Sequence, residues 1–304
     1  MQIAKKIGVS IKKYWQLYLF VLPGLLYFII FHFVPMYGVQ IAFKNYRAID
    51  GIMGSEWVGF KHFIRFFNSP QFGVMLKNTI GLSVYQLLAG FPIPIILALL
   101  LNQTKNKHFK KVVQMATYAP HFISIVVLCG MLSVFLSPST GIINVILKMM
   151  GIDPVFFLGD PKMFPHLYVW SGVWQNAGWG TIIYLASLAG IDPSLYEAAR
   201  VDGANKFRLI WHIDIPGIVP TVILLFIMDL GKIMNLGFQK AYLLQNPLNI
   251  EASEIISTYV YKVGLQQAQF SYSTAIELFN TTINIIMLIV VNKIARKYSE
   301  TSLW

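Results

Sequence analysis

Residues 14–43 read YWQLYLFVLPGLLYFIIFHFVPMYGVQIAF, thirty positions without an Asp, Glu, Lys or Arg. A helix crosses a hydrocarbon core of about 30 Å with roughly 20 residues, so this stretch can span a bilayer. It is too long for the apolar region of a secretory signal, about 7–15 residues, and no small-residue cleavage site follows it. The stretch, with Lys5, Lys6, Lys12 and Lys13 before it, therefore reads as a retained first span with a basic flank. Composition agrees. The chain of 304 residues is 56% hydrophobic and 12% charged, with a mean hydropathy of +0.60, whereas soluble domains average roughly 45–50% apolar and about 25% charged.

Working outward, charge-poor runs of spanning length fall near 17–41, 78–101, 112–136, 166–190, 216–237 and 272–292, interrupted only by Asp229, Lys232 and Glu277. Helix is the default in lipid, because an open strand leaves its backbone unsatisfied there. The fold class is thus an all-α integral membrane protein, one transmembrane domain over 1–304 with six helices. Pro23, Pro35, Pro92, Pro94 and Pro120 within the runs read as kinks. Lys and Arg mark the cytoplasmic side. The N-terminus, 102–111, 191–215 and the tail together hold fourteen of them against Asp192, Glu197, Asp202, Asp214 and Glu300, a balance of +9 out of the chain's +11. Both termini are expected in the cytoplasm, with long outer connections at 42–77, 137–165 and 238–271. The charges lie between apolar runs and form no single basic face, which argues against nucleic acid. The lone Cys129 excludes a disulfide or CxxC site, and the six histidines show no metal-ligand spacing.

One cytoplasmic connection is more than a link. Asp192-Pro193-Ser194-Leu195-Tyr196-Glu197-Ala198-Ala199-Arg200-Val201-Asp202-Gly203-Ala204 leads on to Ile213-Asp214-Ile215-Pro216. Asp192 or Ser194 can cap a helix, Pro193 suits its first turn, and Glu197 stands three residues after Ser194 as in a capping box. Gly203 permits a sharp turn. Phe207, Ile210 and Trp211 then follow at helical spacing, and Pro216 opens the next span. A short helix, a bend and a second helix are predicted.

Glu197-Ala198-Ala199, three residues, Gly203, nine residues, Ile213, one residue and Ile215-Pro216 resemble the EAA loop of permease subunits of binding-protein-dependent ABC importers; Ile215 stands where Leu is usual. The resemblance extends over nearly the whole chain. Leu22-Pro23-Gly24, Glu56-Trp57-Val58-Gly59-Phe60, Ala119-Pro120-His121, Trp174-Gln175-Asn176-Ala177-Gly178-Trp179 and Thr258-Tyr259-Val260-Tyr261 are similar to carbohydrate-uptake permeases, particularly those for polysaccharide-derived oligosaccharides. This implies the type I importer permease fold in a bacterial plasma membrane. It also implies a second homologous permease as heterodimer partner, two copies of a cytoplasmic ATPase and an external solute-binding protein. Tyr196, Glu197, Ala198, Ala199, Asp202, Gly203, Ala204, Phe207, Ile213 and Pro216 would form the ATPase-coupling surface. The chain has no GxxxxGK[ST] phosphate loop, and Gly231-Lys232 lacks the rest of one. It is therefore read as a transport subunit rather than an enzyme, with no cofactor of its own and with ATP and Mg on the ATPase.

Charges deep in a span need a reason. At about 1.5 Å per residue, Asp229 stands ~20 Å above Pro216, Lys232 ~24 Å above it, and Glu277 ~24 Å above Lys293. Asp229 and Lys232, three apart on one helix, can pair. The three either line the outer end of a translocation cavity or hold the bundle together. Asn280 and Asn284 follow Glu277 on one stripe and suit either sugar hydroxyls or interhelical hydrogen bonds. Trp174, Gln175, Asn176 and Trp179 offer either a surface for sugar rings or an interfacial belt. Rival readings are a same-fold importer for another solute and an intramembrane enzyme using Asp229, Glu277 and a histidine. If Glu277 lines the cavity, Glu277→Ala abolishes solute uptake while ATPase assembly is retained; unchanged uptake assigns it to the bundle.

Overall fold

The structure is a computed structural model describing Gln2–Tyr298 and Ser302, with side-chain surroundings described from Lys13 onward. The Lys5, Lys6 and Lys12 side chains, and Glu300, lie outside the described residues. Two compact units form: residues up to Phe67 together with Val263–Leu278, and Asn68–Lys262 together with residues from Phe279.

In the first unit, α1 (Gln2–Phe28) is interrupted at Tyr14 (φ −121°, ψ 27°), where the basic flank meets the apolar run. It continues through a π turn at Ile29–Phe33 and a 3-10 stretch at Tyr37–Phe43. The widened turn precedes Pro35, which has no N–H to give the carbonyl four residues back. Lys13–Phe43 is thereby an apolar helical span of 31 residues with none of its core window buried. Phe20, for example, is 84% exposed. A surface this apolar has to be covered by lipid or another chain. A two-residue hairpin follows, an addition to the all-α expectation. Lys44 pairs with Trp57 and Asn45 with Glu56, while the buried Lys44 ammonium donates to the Ile52 carbonyl at 2.6 Å. The next helix, α2 (Lys61–Phe67), brings Arg65 over the Tyr272 ring at 4.1 Å.

The second unit begins with α3 (Phe72–Gly90) and α4 (Pro92–Asn102), which run on as a 31-residue helix, Phe72–Asn102. The predicted span 112–136 is not one straight helix. Asn106 caps α5 (Lys107–Tyr118), a 3-10 turn carries Pro120, and Ser124 caps a fresh start at α6 (Ile125–Phe135). The two halves meet at 100°. Proline removes a helical donor and the Ser124 hydroxyl offers Val127 N–H another acceptor at 3.3 Å, so the backbone bends at this point. After α7 (Ile142–Met149) comes α8 (Phe164–Ala189), against which α3, α4, α5 and later helices pack.

By length and apolarity, four helices among the described residues can cross a membrane, or five with the bent pair counted as one. The predicted 166–190 run, α8, has the length but not the apolarity. Its Phe164, Tyr168, Val169, Tyr184 and Leu188 are buried by protein, and that shelter lets it carry Gln175, Ser171 and Thr181. The loop helices α9 (Pro193–Val201) and α10 (Lys206–Leu209) lead into α11 (Ile215–Leu230). The predicted 216–237 span therefore ends seven residues early. At Gly231 a Cβ would meet the Leu288 side chain at 2.7 Å, so this turn lies tight against the last helix. The connection 238–271 folds into α12 (Phe238–Leu244), α13 (Ile250–Ser253) and α14 (Ile256–Tyr261) before α15 (Phe270–Tyr298) closes the chain. Ala241, Leu244 and Ile255 join Tyr168, Val173 and Cys129 in one core.

A Cβ on Gly178 of α8 would overlap the Thr117 backbone of α5, whereas one on Gly81 of α3 meets nothing within 4 Å. Overpacking of this kind costs about 1–3 kcal/mol. Gly178→Ala is expected to lower the thermal midpoint of the detergent-solubilised protein by several degrees, and Gly81→Ala to leave it unchanged.

Candidate functional site

The loop that follows α8 begins on a well-defined cap. The Asp192 carboxylate accepts the Ser194 N–H at 2.9 Å, and Pro193 occupies the first turn of α9. Those hydrogen bonds from Ser194 hold the Asp192 carboxyl below its ordinary range. Asp192 rather than Ser194 is thus the cap. At the other end Gly203 adopts φ +76°, its N–H bonds the Arg200 carbonyl at 3.1 Å, and the Ala204 N–H bonds the Ala199 carbonyl at 2.9 Å. This is the six-to-one and five-to-two closure of a Schellman motif, and glycine is the residue that enters the left-handed region without penalty. Asn205 caps α10 by accepting the Arg208 N–H at 2.9 Å. A π turn at Ile210–Asp214 then joins α11, with Pro216 in its first turn.

Glu197, Ala198, Asp202 and Gly203 are exposed, Ala199, Ala204 and Ile213 half-buried. Beside them, Val201 is 88% and Phe207 82% exposed. Apolar side chains this open on a polar loop form a surface suited to a protein partner.

The loop is tied down by one buried carboxylate. Asp214 accepts the Tyr196 hydroxyl at 2.5 Å, the Asn102 amide at 3.0 Å and the Gln103 amide at 2.6 Å, and is itself 0% exposed. Burial and the bond to Asp214 push the Tyr196 phenol up to about 12, so it stays a donor at any ordinary pH. Tyr196 was expected in the loop; Asn102 and Gln103 were not expected there. The available signal was an amide pair at the foot of a span, which does not say which carboxylate it meets. Hydrogen bonds to a charged group contribute about 1.5–3 kcal/mol each. Asp214→Leu strands three donors, and amide exchange over residues 193–216 is expected to quicken about a hundredfold while α8 stays protected.

A cavity of about 410 Å³ lies among α3, α4, α8, α11 and the turn after α11. Gln86, Asn176, Asp229, Lys232 and Asn235 are polar side chains on its wall. Asp229 and Lys232 are thus brought to one space, yet they make no ion pair within 4 Å. With α11 ending at Leu230, Lys232 falls in the following turn rather than on the face predicted for it. Asn280 and Asn284 are buried and donate to the Asn235 side-chain oxygen at 3.3 and 3.0 Å; Asn284 also accepts the Met234 N–H at 3.0 Å. They hold the turn that presents Asn235. Gln175 is buried and donates to the Ile123 carbonyl at 2.7 Å, at the break between α5 and α6. Trp179 stacks on His121 at 4.4 Å, and a His121 ring nitrogen lies 3.0 Å from the Asn176 oxygen. Trp174 is 49% exposed and, like Trp179, is not on the cavity wall. Glu277 belongs to the first unit and is exposed. Gln86 and Asn235 are wall residues that the sequence gave no reason to select. No group of three His, Cys, Asp or Glu among the described residues could hold a metal.

Residues 90–300 match the family described as "Binding-protein-dependent transport system inner membrane component". The chain is 44% identical over 300 residues, 99% of its length and 94% of the relative's, to the polygalacturonan/rhamnogalacturonan transport system permease protein YteP of Bacillus subtilis (strain 168). It is 30% identical over 288 residues, 93% and 88% of the two chains, to the arabinooligosaccharides transport system permease protein AraP of the same organism. Among solved structures, a chain from a bacterial alginate ABC transporter, crystallised with an alginate pentasaccharide-bound periplasmic protein, superposes with a TM-score of 0.89. It is 42% identical, with 97% of this chain and 98% of that chain covered.

Proposed function

The chain belongs to the inner membrane components of binding-protein-dependent transport systems, and from that premise we propose that it forms half of an import path for an oligosaccharide. α8 counts as a crossing in this reading. Six spans with both termini in the cytoplasm of a bacterial plasma membrane then follow from the charge balance. A second homologous permease supplies the other half of the path, an external binding protein delivers the sugar, and two copies of an ATPase carry ATP and Mg.

The observation that carries the reading is the exposed α9, closed by Gly203 and latched to the spans by Asp214. Glu197, Ala198, Ala199, Asp202, Gly203, Ala204 and Phe207 face the ATPase, Tyr196 ties them to the spans, and Ile213 and Pro216 join the loop to α11. When ATP draws the ATPases together, α9 is displaced. Through Asp214 the displacement reaches α4 and α11 together, because the carboxylate at the foot of α11 holds the amides at the end of α4. Both helices line the cavity, at Pro94 and at Asp229, and Asp229 stands roughly 22 Å along α11 from Asp214. Asp229, Lys232 and Asn176 face the sugar from this chain, Asn280 and Asn284 act through Asn235, and Trp174, Gln175 and Trp179 flank the path. The polygalacturonan and alginate named for two relatives favour an acidic oligosaccharide.

Purification from cells carrying the native partners tests the coupling. Wild type is expected to bring down an ATPase and a second permease, and Gly203→Asp, folded and in the membrane, to lose the ATPase while keeping the permease. A wild type that captures no ATPase under conditions preserving membrane complexes would sink the reading.

A further inference from the structure

A lysine buried without an acid lies immediately behind the cavity wall. Lys240, on α12, is 7% exposed. Its ammonium donates to the Tyr168 carbonyl and sits 4.7 Å from the centre of the Tyr168 ring. Among the described residues no carboxylate comes within ion-pair distance of it. A lysine sunk among apolar helices is costly, and without an internal counter-ion it calls for a functional reason.

Its position says what the charge faces. Gly172 of α8 lines the cavity, and a Cβ built there would stand 3.0 Å from the Lys240 nitrogen. The ammonium thus lies against a cavity-lining residue that has no side chain of its own. The wall itself carries one formal negative and one formal positive charge, Asp229 and Lys232, and these offset each other. This chain's further contribution to the potential inside is the ammonium behind Gly172, where the surroundings screen it weakly. Gln86, Asn176 and Asn235 can serve the hydroxyls of any sugar, acidic or neutral; they do not distinguish the two.

We infer that Lys240 is the specificity determinant of this cavity, drawing the carboxylates of a uronate-containing oligosaccharide past Gly172. The inference rests on the oligosaccharide reading above and adds the residue that selects the acid. Lys240 acts across a glycine, as a positioning charge, and need not touch the sugar.

The test uses the intact transporter, with its native partners and saturating binding protein, in proteoliposomes. The two probes are trigalacturonate and its carboxyl-reduced, neutral counterpart. Lys240→Met is expected to lower uptake of trigalacturonate about tenfold, the effect of a single weakly screened charge. Lys240→Arg is expected to retain most of the uptake, with neutral-sugar uptake and binding-protein-stimulated ATP hydrolysis unchanged in both variants. If Lys240→Met does not assemble, Lys240→Gln removes the charge while keeping a polar side chain, and is expected to give the same split. Equal loss for both sugars, or loss of stimulated ATP hydrolysis, would make Lys240 a structural residue and overturn the proposal. So would undiminished trigalacturonate uptake. A wild type that moves neither sugar overturns this proposal and the oligosaccharide reading together, whereas trigalacturonate uptake unaffected by the variants overturns this proposal alone.

Discussion

The buried carboxylate of Asp214 holds together three segments far apart in sequence: the end of α4 through Asn102 and Gln103, α9 through Tyr196, and the start of α11 by covalent attachment. An ionised group at zero exposure is tolerated only when its oxygens are satisfied by good donors, and three such donors are present. The same constraint makes the arrangement directional. α9 cannot shift relative to α4 and α11 without breaking one of these hydrogen bonds. Around this point Ile210, Ile215 and Ile191 pack against Leu99, Tyr184 and Leu188, which excludes water and keeps those bonds strong.

At the far end of the same spans the logic is inverted. There, polar groups are left facing open space, with Asp229, Lys232, Asn176 and Asn235 around a cavity instead of closed upon each other. Asn280 and Asn284, which both donate to the Asn235 side-chain oxygen, support the turn after α11 from behind. Exposed groups and their buried braces thus make one layered wall, and a change in a brace would be felt at the cavity without any contact to solute.

How much of this the sequence disclosed depended on range. The apolar runs, their approximate limits and the helix–turn–helix after α8 follow from local composition, capping residues and Gly203. What failed was whatever a distant neighbour decides. The 112–136 run holds no Asp, Glu, Lys or Arg, and the bend at Pro120 and Ser124 is accompanied by Gln175 of α8 reaching the Ile123 carbonyl. The early stop of α11 depends on Leu288 pressing on Gly231. Asn280 and Asn284 were correctly marked as a polar stripe, but their partner, Asn235, lies 45 and 49 residues away, and no periodicity announces that. The weak apolarity of α8 has the same origin: a helix wrapped by its own protein answers to its neighbours rather than to lipid.

α9 has only nine residues, too few to hold a helical shape alone in water. The side chain of Asp192 fixes one end, the left-handed Gly203 the other, and Tyr196 nails its middle to the membrane domain. It is therefore already rigid before any partner arrives. Ordering a flexible segment on association consumes part of the interaction energy; a pre-shaped one is spared that loss. A partner that met its nine residues, about two and a half turns, would find the surface already in shape.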